Sequence, residues 1–262
     1  MLKKLIGDYL GLIRVLGAGR ANRWLAAVAA SLPEILRVRN LQPADRAMGQ
    51  GPFDIRFHDG SVRFRITGTE AFSGIREMYV RDTYLRGGTL GISDGDVVLD
   101  LGANMGNFSN LALAHGPNVR VIAVEPNIAL NQEYWRSLAL NPGFTGRATL
   151  RRAFLGEEST KQLELRSDPR YAGVEWLTED EFIASCSVDR VDFLKCDIEG
   201  GEFALLRRGG RLLGMARRLA IEVHRFAGDV EAFIAMLDAE GFEVRAIQRE
   251  VDGTATVLAA RR

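Results

Sequence analysis

From Asp96 to the C-terminal residues, short apolar runs alternate with longer amphipathic stretches, the pattern of a parallel sheet with helical crossovers. Val97–Leu101 is apolar but for Asp100 and rich in β-branched residues, the composition of a strand buried on both faces of a sheet, and Val119–Val124, Thr149–Phe154, Val191–Cys196 and Leu219–His224 read as the strands that follow it. Asn107–His115, Ala129–Leu140, Glu179–Ser185 and Glu202–Arg208 fall between them as predicted helices or helical turns, and Gly156–Gly173 as a polar hairpin or loop insertion. After a helix at Val230–Glu240, the strands Phe242–Gln248 and Thr254–Ala260 follow one another across Asp252-Gly253. A turn that short cannot serve a parallel pair, so the sheet is predicted to end antiparallel.

Upstream the pattern changes. Phe53–His58 and Ser61–Ile66 alternate apolar with polar around Asp59-Gly60, which predicts a half-exposed β-hairpin. Glu70–Leu85 carries Ile75, Met78, Tyr79 and Leu85 near helical spacing and stops at Gly87-Gly88. Residues 1–50, rich in Leu, Ala and Arg, predict two or three short helices that end in the turn clusters Gln42-Pro43 and Gly49-Gln50-Gly51-Pro52. The expected organisation is therefore a helical segment at 1–50 and one α/β domain at 51–262 that opens with the hairpin.

Charge narrows the partners. The 34 basic and 34 acidic residues cancel, so no global field draws the chain to nucleic acid or to an anionic membrane. The first fifty residues are mildly basic, with eight Lys and Arg against three acids. A helical cap on the main domain is the favoured role there; a substrate lid, a dimer contact or a peripheral membrane helix are the alternatives. The apolar run Trp24–Ala30 is too late and too short for an export signal, and no run reaches the length of a membrane span. The two cysteines, Cys186 and Cys196, form no metal-binding or disulfide spacing, and such thiol usage suits the cytoplasm.

The chemistry gathers at the ends of the predicted strands. Val97–Leu101 breaks into Gly102-Ala103-Asn104-Met105-Gly106 directly after Asp100. A dinucleotide fold wants G-x-G-x-x-G, with pyrophosphate on the helix N-terminus. This loop reads D-x-G-x-x-x-G instead, and Asp100 repels an anion. A ligand with an ammonium group fits better, and S-adenosylmethionine (SAM) carries one together with a ribose and an adenine. Glu125 ends the second strand about 20 residues past the loop, where a carboxylate accepts ribose hydroxyls from NAD or SAM alike. Asp197-Ile198-Glu199-Gly200-Gly201-Glu202 follows the fourth strand. Carboxylates held that close oppose joint ionisation, so they point to orienting a substrate hydroxyl, ligating a divalent cation or accepting a proton. Glu222 and His224 share one face of the fifth strand, and His224 is placed at the sheet edge as a proton acceptor titrating near the ordinary histidine value. Tyr171 and Trp176 are candidates for the acceptor pocket.

Taken together, Val98–Gly106, Val124-Glu125-Pro126-Asn127, Val191–Glu202 and Ile221-Glu222-Val223-His224 resemble the FkbM-type SAM-dependent methyltransferases from about Glu77 to Gly241. The resemblance implies a class I, Rossmann-like methyltransferase fold, with a mostly parallel seven-stranded sheet ending in an antiparallel strand. It also implies O-methylation of a hydroxyl on a sugar, glycan or natural product. By the same resemblance Asp100, Gly102, Asn104, Gly106 and Glu125 hold SAM, while Asp197, Glu199 and His224 face the substrate. A divalent metal stays open. An NAD-dependent oxidoreductase would show G-x-G-x-x-G, and a nucleic-acid methyltransferase a basic stripe; neither is present.

Overall fold

The computed structural model describes residues 2–156, 160–250 and 253–262. Among them, four helices precede the first strand: α1 (Leu2–Leu16), α2 (Ala18–Ala30), α3 (Leu32–Val38) and α4 (Gln42–Arg46). The fourth occupies a stretch predicted as a turn. Pro43 stands in its first turn, where a missing N–H costs no hydrogen bond and a fixed φ suits the helix. Strands β1 (Phe53–Phe57) and β2 (Val62–Ile66) form the predicted hairpin, alternately buried and exposed. The expected helix Glu70–Leu85 is shorter and irregular. It comprises α5 (Ala71–Gly74) and a π-helical turn at Ile75–Val80, after which Asp82 takes a left-handed conformation and ends it.

A buried ionic cluster joins this turn to the N-terminal helices. Arg76 spans two carboxylates, with Nη1 2.7 Å from Asp8 Oδ2 and Nη2 2.6 Å from Asp45 Oδ2. Trp24 Nε1 donates to Asp45 Oδ1 at 2.9 Å, and Arg81 completes the pairing of Asp8. Buried charges persist only when paired and hydrogen-bonded in this way. One hydrophobic cluster continues from Leu12 and Trp24 through Phe53 and Phe72 to Val98, Phe108 and Tyr134 under the sheet.

The main sheet contains β3 (Val97–Leu101), β4 (Arg120–Val124), β5 (Ala148–Arg151), β8 (Phe193–Cys196), β9 (Arg218–Val223), β10 (Phe242–Arg249) and β11 (Ala255–Arg261). Their spatial order is β10-β11-β9-β8-β3-β4-β5. Strands β3, β4, β5, β8 and β9 run parallel, and β11 is antiparallel to both neighbours. The predicted antiparallel ending is present, although Asp252 of its turn lies outside the described residues. Helices α6 (Asn107–Leu113) and α7 (Ile128–Leu138) follow β3 and β4. Among the described residues no helix is long and apolar enough to cross a membrane.

One predicted strand divides. Thr149–Phe154 was expected to be continuous, but β5 ends at Arg151 and β6 (Ala153–Leu155) pairs with β7 (Glu175–Leu177) in a separate sheet. Arg152 stands at the break, and its guanidinium donates to the carbonyls of Pro126 and Ala172, which turns the chain out of the main sheet. The stretch predicted as a loop after Gly156 carries a short helix, Thr160–Leu165, and a 3-10 turn, Pro169–Tyr171.

Candidate active site

Strand register assembles the site. Leu101 pairs with Val124 on one side and Cys196 on the other, so the next residues, Gly102, Glu125 and Asp197, leave the sheet at one edge. Cys196 pairs in turn with Ile221, which brings Glu222 beside Asp197. The chain runs from β3 outward through β4 to β5, then returns to start the other half at β8. A crevice opens at that reversal. A cavity of about 380 Å³ fills it, with Glu125, Phe154 and Tyr171 over the β4 side and Glu77, Asp197 and Glu222 over the β8–β9 side.

On the β4 side the carboxylate of Glu125 is satisfied by backbone. Glu125 is buried; its Oε2 accepts from the Asn104 amide at 2.9 Å and its Oε1 from the Asn127 amide at 2.8 Å. Burial pushes its pKa up to about 7, and the two amides and Lys195 act against that rise. Asn104 stands in a left-handed conformation at φ 51°, and its Oδ1 accepts from the Met105 amide. Asn107 also lines the cavity, with its Oδ1 buried and without a hydrogen-bond partner.

The glycines have a different reason from the one expected. At Gly102 (φ +75°) a Cβ would lie 1.7 Å from the Asp197 carbonyl oxygen, and at Gly106 (φ +83°) 2.8 Å from the Tyr134 ring. The space that seemed reserved for a ligand is taken by the protein itself. Gly102 still borders the cavity; Gly106 serves as the N-cap of α6 and does not.

Asp100 is also corrected. It lies completely buried beneath the loop and does not line the cavity, so it meets no ligand directly. Its carboxylate accepts from Ser109 Oγ at 2.6 Å and lies 3.4 Å from Lys195 Nζ. The ammonium group it attracts is therefore the chain's own, because Asp100 and Lys195 are in-register neighbours on β3 and β8. Burial opposes the charge on Lys195, but Asp100 and Asp197 outweigh it and hold the pKa above the usual lysine value. Its Nζ donates to the Gly102 carbonyl at 2.6 Å and braces the loop from below.

Tyr171 and Trp176 belong to this side. Phe154 and Tyr171 stack with centroids 5.7 Å apart, and Trp176 stacks on Phe154 at 5.1 Å without reaching the cavity.

On the β8–β9 side the carboxylates face one another. Tyr84 Oη lies 3.5 Å from Asp197 Oδ2 and 3.4 Å from Glu222 Oε2. Burial keeps the Tyr84 phenol protonated, and the surrounding acids reinforce this. Burial likewise raises the pKa of Glu222, as do Asp197 and Glu77, and burial followed by Asp197 raises that of Glu77. Glu199, in a left-handed conformation at φ 53°, borders the same cavity.

His224 stands just behind this wall, 7 % exposed. Its Nδ1 lies 2.9 Å from Glu202 Oε1, which also accepts from the amides of Ile198 and Gly200. Burial disfavours charge on the ring, but the hydrogen bond and charge of Glu202, then Asp197 and Glu222, hold its pKa above the ordinary histidine range. In a ligand-free site the ring is thus a cation at neutral pH. The expectation of a free base titrating near the unperturbed value gives way.

Asp197, Glu199 and His224 are brought together; Gly102, Asn104 and Glu125 line the other side. Glu77, Tyr84 and Asn107 were missed. Glu77 and Tyr84 lie within Glu70–Leu85, which the sequence marks only as a helix, and the π-helical turn carries Glu77 to the cavity. Glu202, grouped in the sequence with Asp197 and Glu199, is fully buried as the partner of His224.

Known proteins bear on this geometry. AMB antimetabolite synthetase AmbE of Pseudomonas aeruginosa is 27% identical over 224 residues, a match covering 64% of this chain and 10% of AmbE. The crystal structure of methyltransferase FkbM from Methylobacillus flagellatus KT superposes with a TM-score of 0.50 at 16% identity, covering 92% of this chain and 61% of that one. The Methanococcus jannaschii fibrillarin pre-rRNA processing protein superposes with a TM-score of 0.40 at 15% identity, over 66% and 69% of the two chains. Residues 100–244 match the methyltransferase FkbM domain. That span runs from β3 into β10 and includes every strand end that builds the cavity, and the chain belongs to the FkbM methyltransferase family.

Proposed function

We propose that this methyltransferase moves the methyl group of SAM to a hydroxyl oxygen of a small hydrophilic molecule, a sugar, glycan or natural product. The observation that carries the proposal is a single cavity shared by a ribose-type carboxylate, Glu125, and a group of carboxylates across the switch point. The β4 side fits the cofactor. Each Glu125 oxygen holds one amide and keeps a lone pair for a ribose hydroxyl. Tyr171, backed by Phe154, offers an aromatic face to an adenine, and the unpartnered Asn107 Oδ1 is an acceptor for an ammonium group. When bound, SAM supplies an electrophilic methyl group on a sulfonium.

The chain's own residues do the rest. Asp197 accepts the hydrogen bond of the acceptor hydroxyl, with Glu222 beside it, and fixes its direction, which is where most of the acceleration of such a transfer lies. Asp197 Oδ1 receives the hydroxyl proton; the protonated His224 steadies the carboxylates from behind. Tyr84 keeps its proton and spans Asp197 and Glu222. Glu77, Asp197, Glu199 and Glu222 together make the cavity hostile to phosphate, which favours a small acceptor over a polynucleotide. The likeness to part of an antimetabolite synthetase agrees with a small-molecule acceptor.

Calorimetry with SAM and NAD, followed by a labelled-SAM screen against sugars, lipid-linked glycans, small phenols and bulk RNA, tests the proposal. SAM heat and label in a hydroxyl compound are expected. NAD heat without SAM heat removes the cofactor assignment, and label in RNA alone removes the acceptor class.

A further inference from the structure

We infer that His224, Asp197, Glu199 and Glu222 bind a divalent transition ion, with Glu202 setting the orientation of the histidine ring. Around His224 Nε2, Glu199 Oε2 lies at 3.8 Å, Glu222 Oε1 at 3.9 Å and Asp197 Oδ1 at 4.0 Å. A ring N–H engaged with one of these carboxylates would close to about 3 Å. Nε2 instead stands nearly equidistant from three oxygens and bonded to none, although its ring is more than nine-tenths buried. Around an octahedral ion with bonds of about 2.1 Å, adjacent ligands are about 3 Å apart and opposite ones about 4 Å. One of the three oxygens already stands at the opposite-ligand separation from Nε2, and the other two close in by about 1 Å when an ion binds.

The opposite ring nitrogen supplies the independent observation. Glu202 is fully buried, pinned by the Ile198 and Gly200 amides, and its Oε1 engages His224 Nδ1. A carboxylate on Nδ1 fixes the orientation of the ring, so an ion that displaces the Nε2 proton meets a lone pair already aimed, the usual arrangement behind a metal-ligating histidine. Glu202 Oε2, buried in the same cluster, has no hydrogen-bond partner, and Asp197, Glu202 and His224 each offer a ligand atom within 4.8 Å of the other two. An imidazole nitrogen among carboxylates suits first-row ions such as Mn²⁺ better than Mg²⁺ or Ca²⁺. The role of the ion rests on the acceptor side proposed above: there it polarises the acceptor hydroxyl. Ion binding itself does not depend on that proposal.

Chelator-treated full chain, titrated with Mn²⁺ alone, tests the inference by calorimetry and by loss of the free-ion electron paramagnetic resonance signal. One ion per chain is expected. His224→Ala and Asp197→Asn weaken it by at least about tenfold, and Glu202→Gln by about tenfold through the ring it orients. Circular dichroism and the thermal unfolding transition of the same variants report whether they fold. Should a buried variant fail to fold, Glu199→Gln at the partly exposed carboxylate takes its place and weakens Mn²⁺ measurably. No saturable uptake at about millimolar Mn²⁺, or uptake unchanged in the folded variants, overturns the site. Mn²⁺ binding without SAM binding leaves this inference standing and removes the methyl-donor proposal instead.

Discussion

The two sides of the cavity are built on opposite principles. On the β4 side Glu125 is held by two amides, and beneath it Asp100 is held by Ser109 at one oxygen and paired with Lys195 at the other. On the β8–β9 side Asp197, Glu199 and Glu222 stand 3.8 to 4.0 Å from Nε2 of one buried histidine, with Glu77 on the same cavity wall. Under the proposed function the first side is a socket for the methyl donor. Like charges held together cost stability, and on the same proposal work at an acceptor oxygen is the reason to keep them.

The largest effect is expected where the two sides touch. Gly102→Ala places a methyl group on the Asp197 carbonyl and forces a left-handed backbone. It should cost at least roughly 3 kcal/mol of stability by chemical denaturation and abolish SAM binding with it. A stable, SAM-binding variant would show that the two sides are less tightly coupled than their contact indicates.

Next, Asp197→Asn should lower kcat by about 10²–10³-fold while SAM affinity stays within about threefold, once an acceptor is in hand. Equal losses in both quantities would erase the division between the sides. Glu125→Gln is the mirror experiment. Loss of charge-assisted hydrogen bonds to ribose should weaken SAM by about 1–3 kcal/mol in calorimetry, with the unfolding transition preserved.

The smallest effect is a pH dependence. In the free protein the Glu125 pKa is raised to about 7, so its proton is bound below that pH and released above it. Ribose hydroxyls favour the ionised form. SAM affinity should therefore rise with pH through about 7, by about tenfold between pH 6 and 8, and level off above. Glu125→Gln should be flat over the same window. A wild-type affinity that falls with rising pH would place the ribose elsewhere.

The parallel strands, the hairpin and the antiparallel ending were legible because each rests on a local period or on a turn too short for any other connection. Glu125, Asp197 and Glu222 were legible for the same reason: they end strands, and strand ends in a doubly wound sheet converge at one edge. The π-helical turn was not, because Ile75–Val80 satisfies ordinary helical spacing and only its packing through Arg76 onto Asp8 and Asp45 shows which residues turn inward. The split at Arg152 was hidden likewise, since the carbonyls that hold its guanidinium come from residues 26 and 20 positions away in the chain.

The sequence by itself determined which strand ends meet at the cavity. What they do there was decided by tertiary contacts. Asp100 and Gly106 stand where their motif puts them, yet the partner of one is Lys195 and the neighbour of the other is Tyr134, both supplied by later parts of the chain. His224 shows the division most plainly. Its position at a strand end is a local property, whereas its charge state and the direction of its free nitrogen depend on Glu202, reached only when the short helix after β8 folds back beneath β9. Periodicity encodes the path of the backbone; burial and the charges gathered across that path set the chemistry.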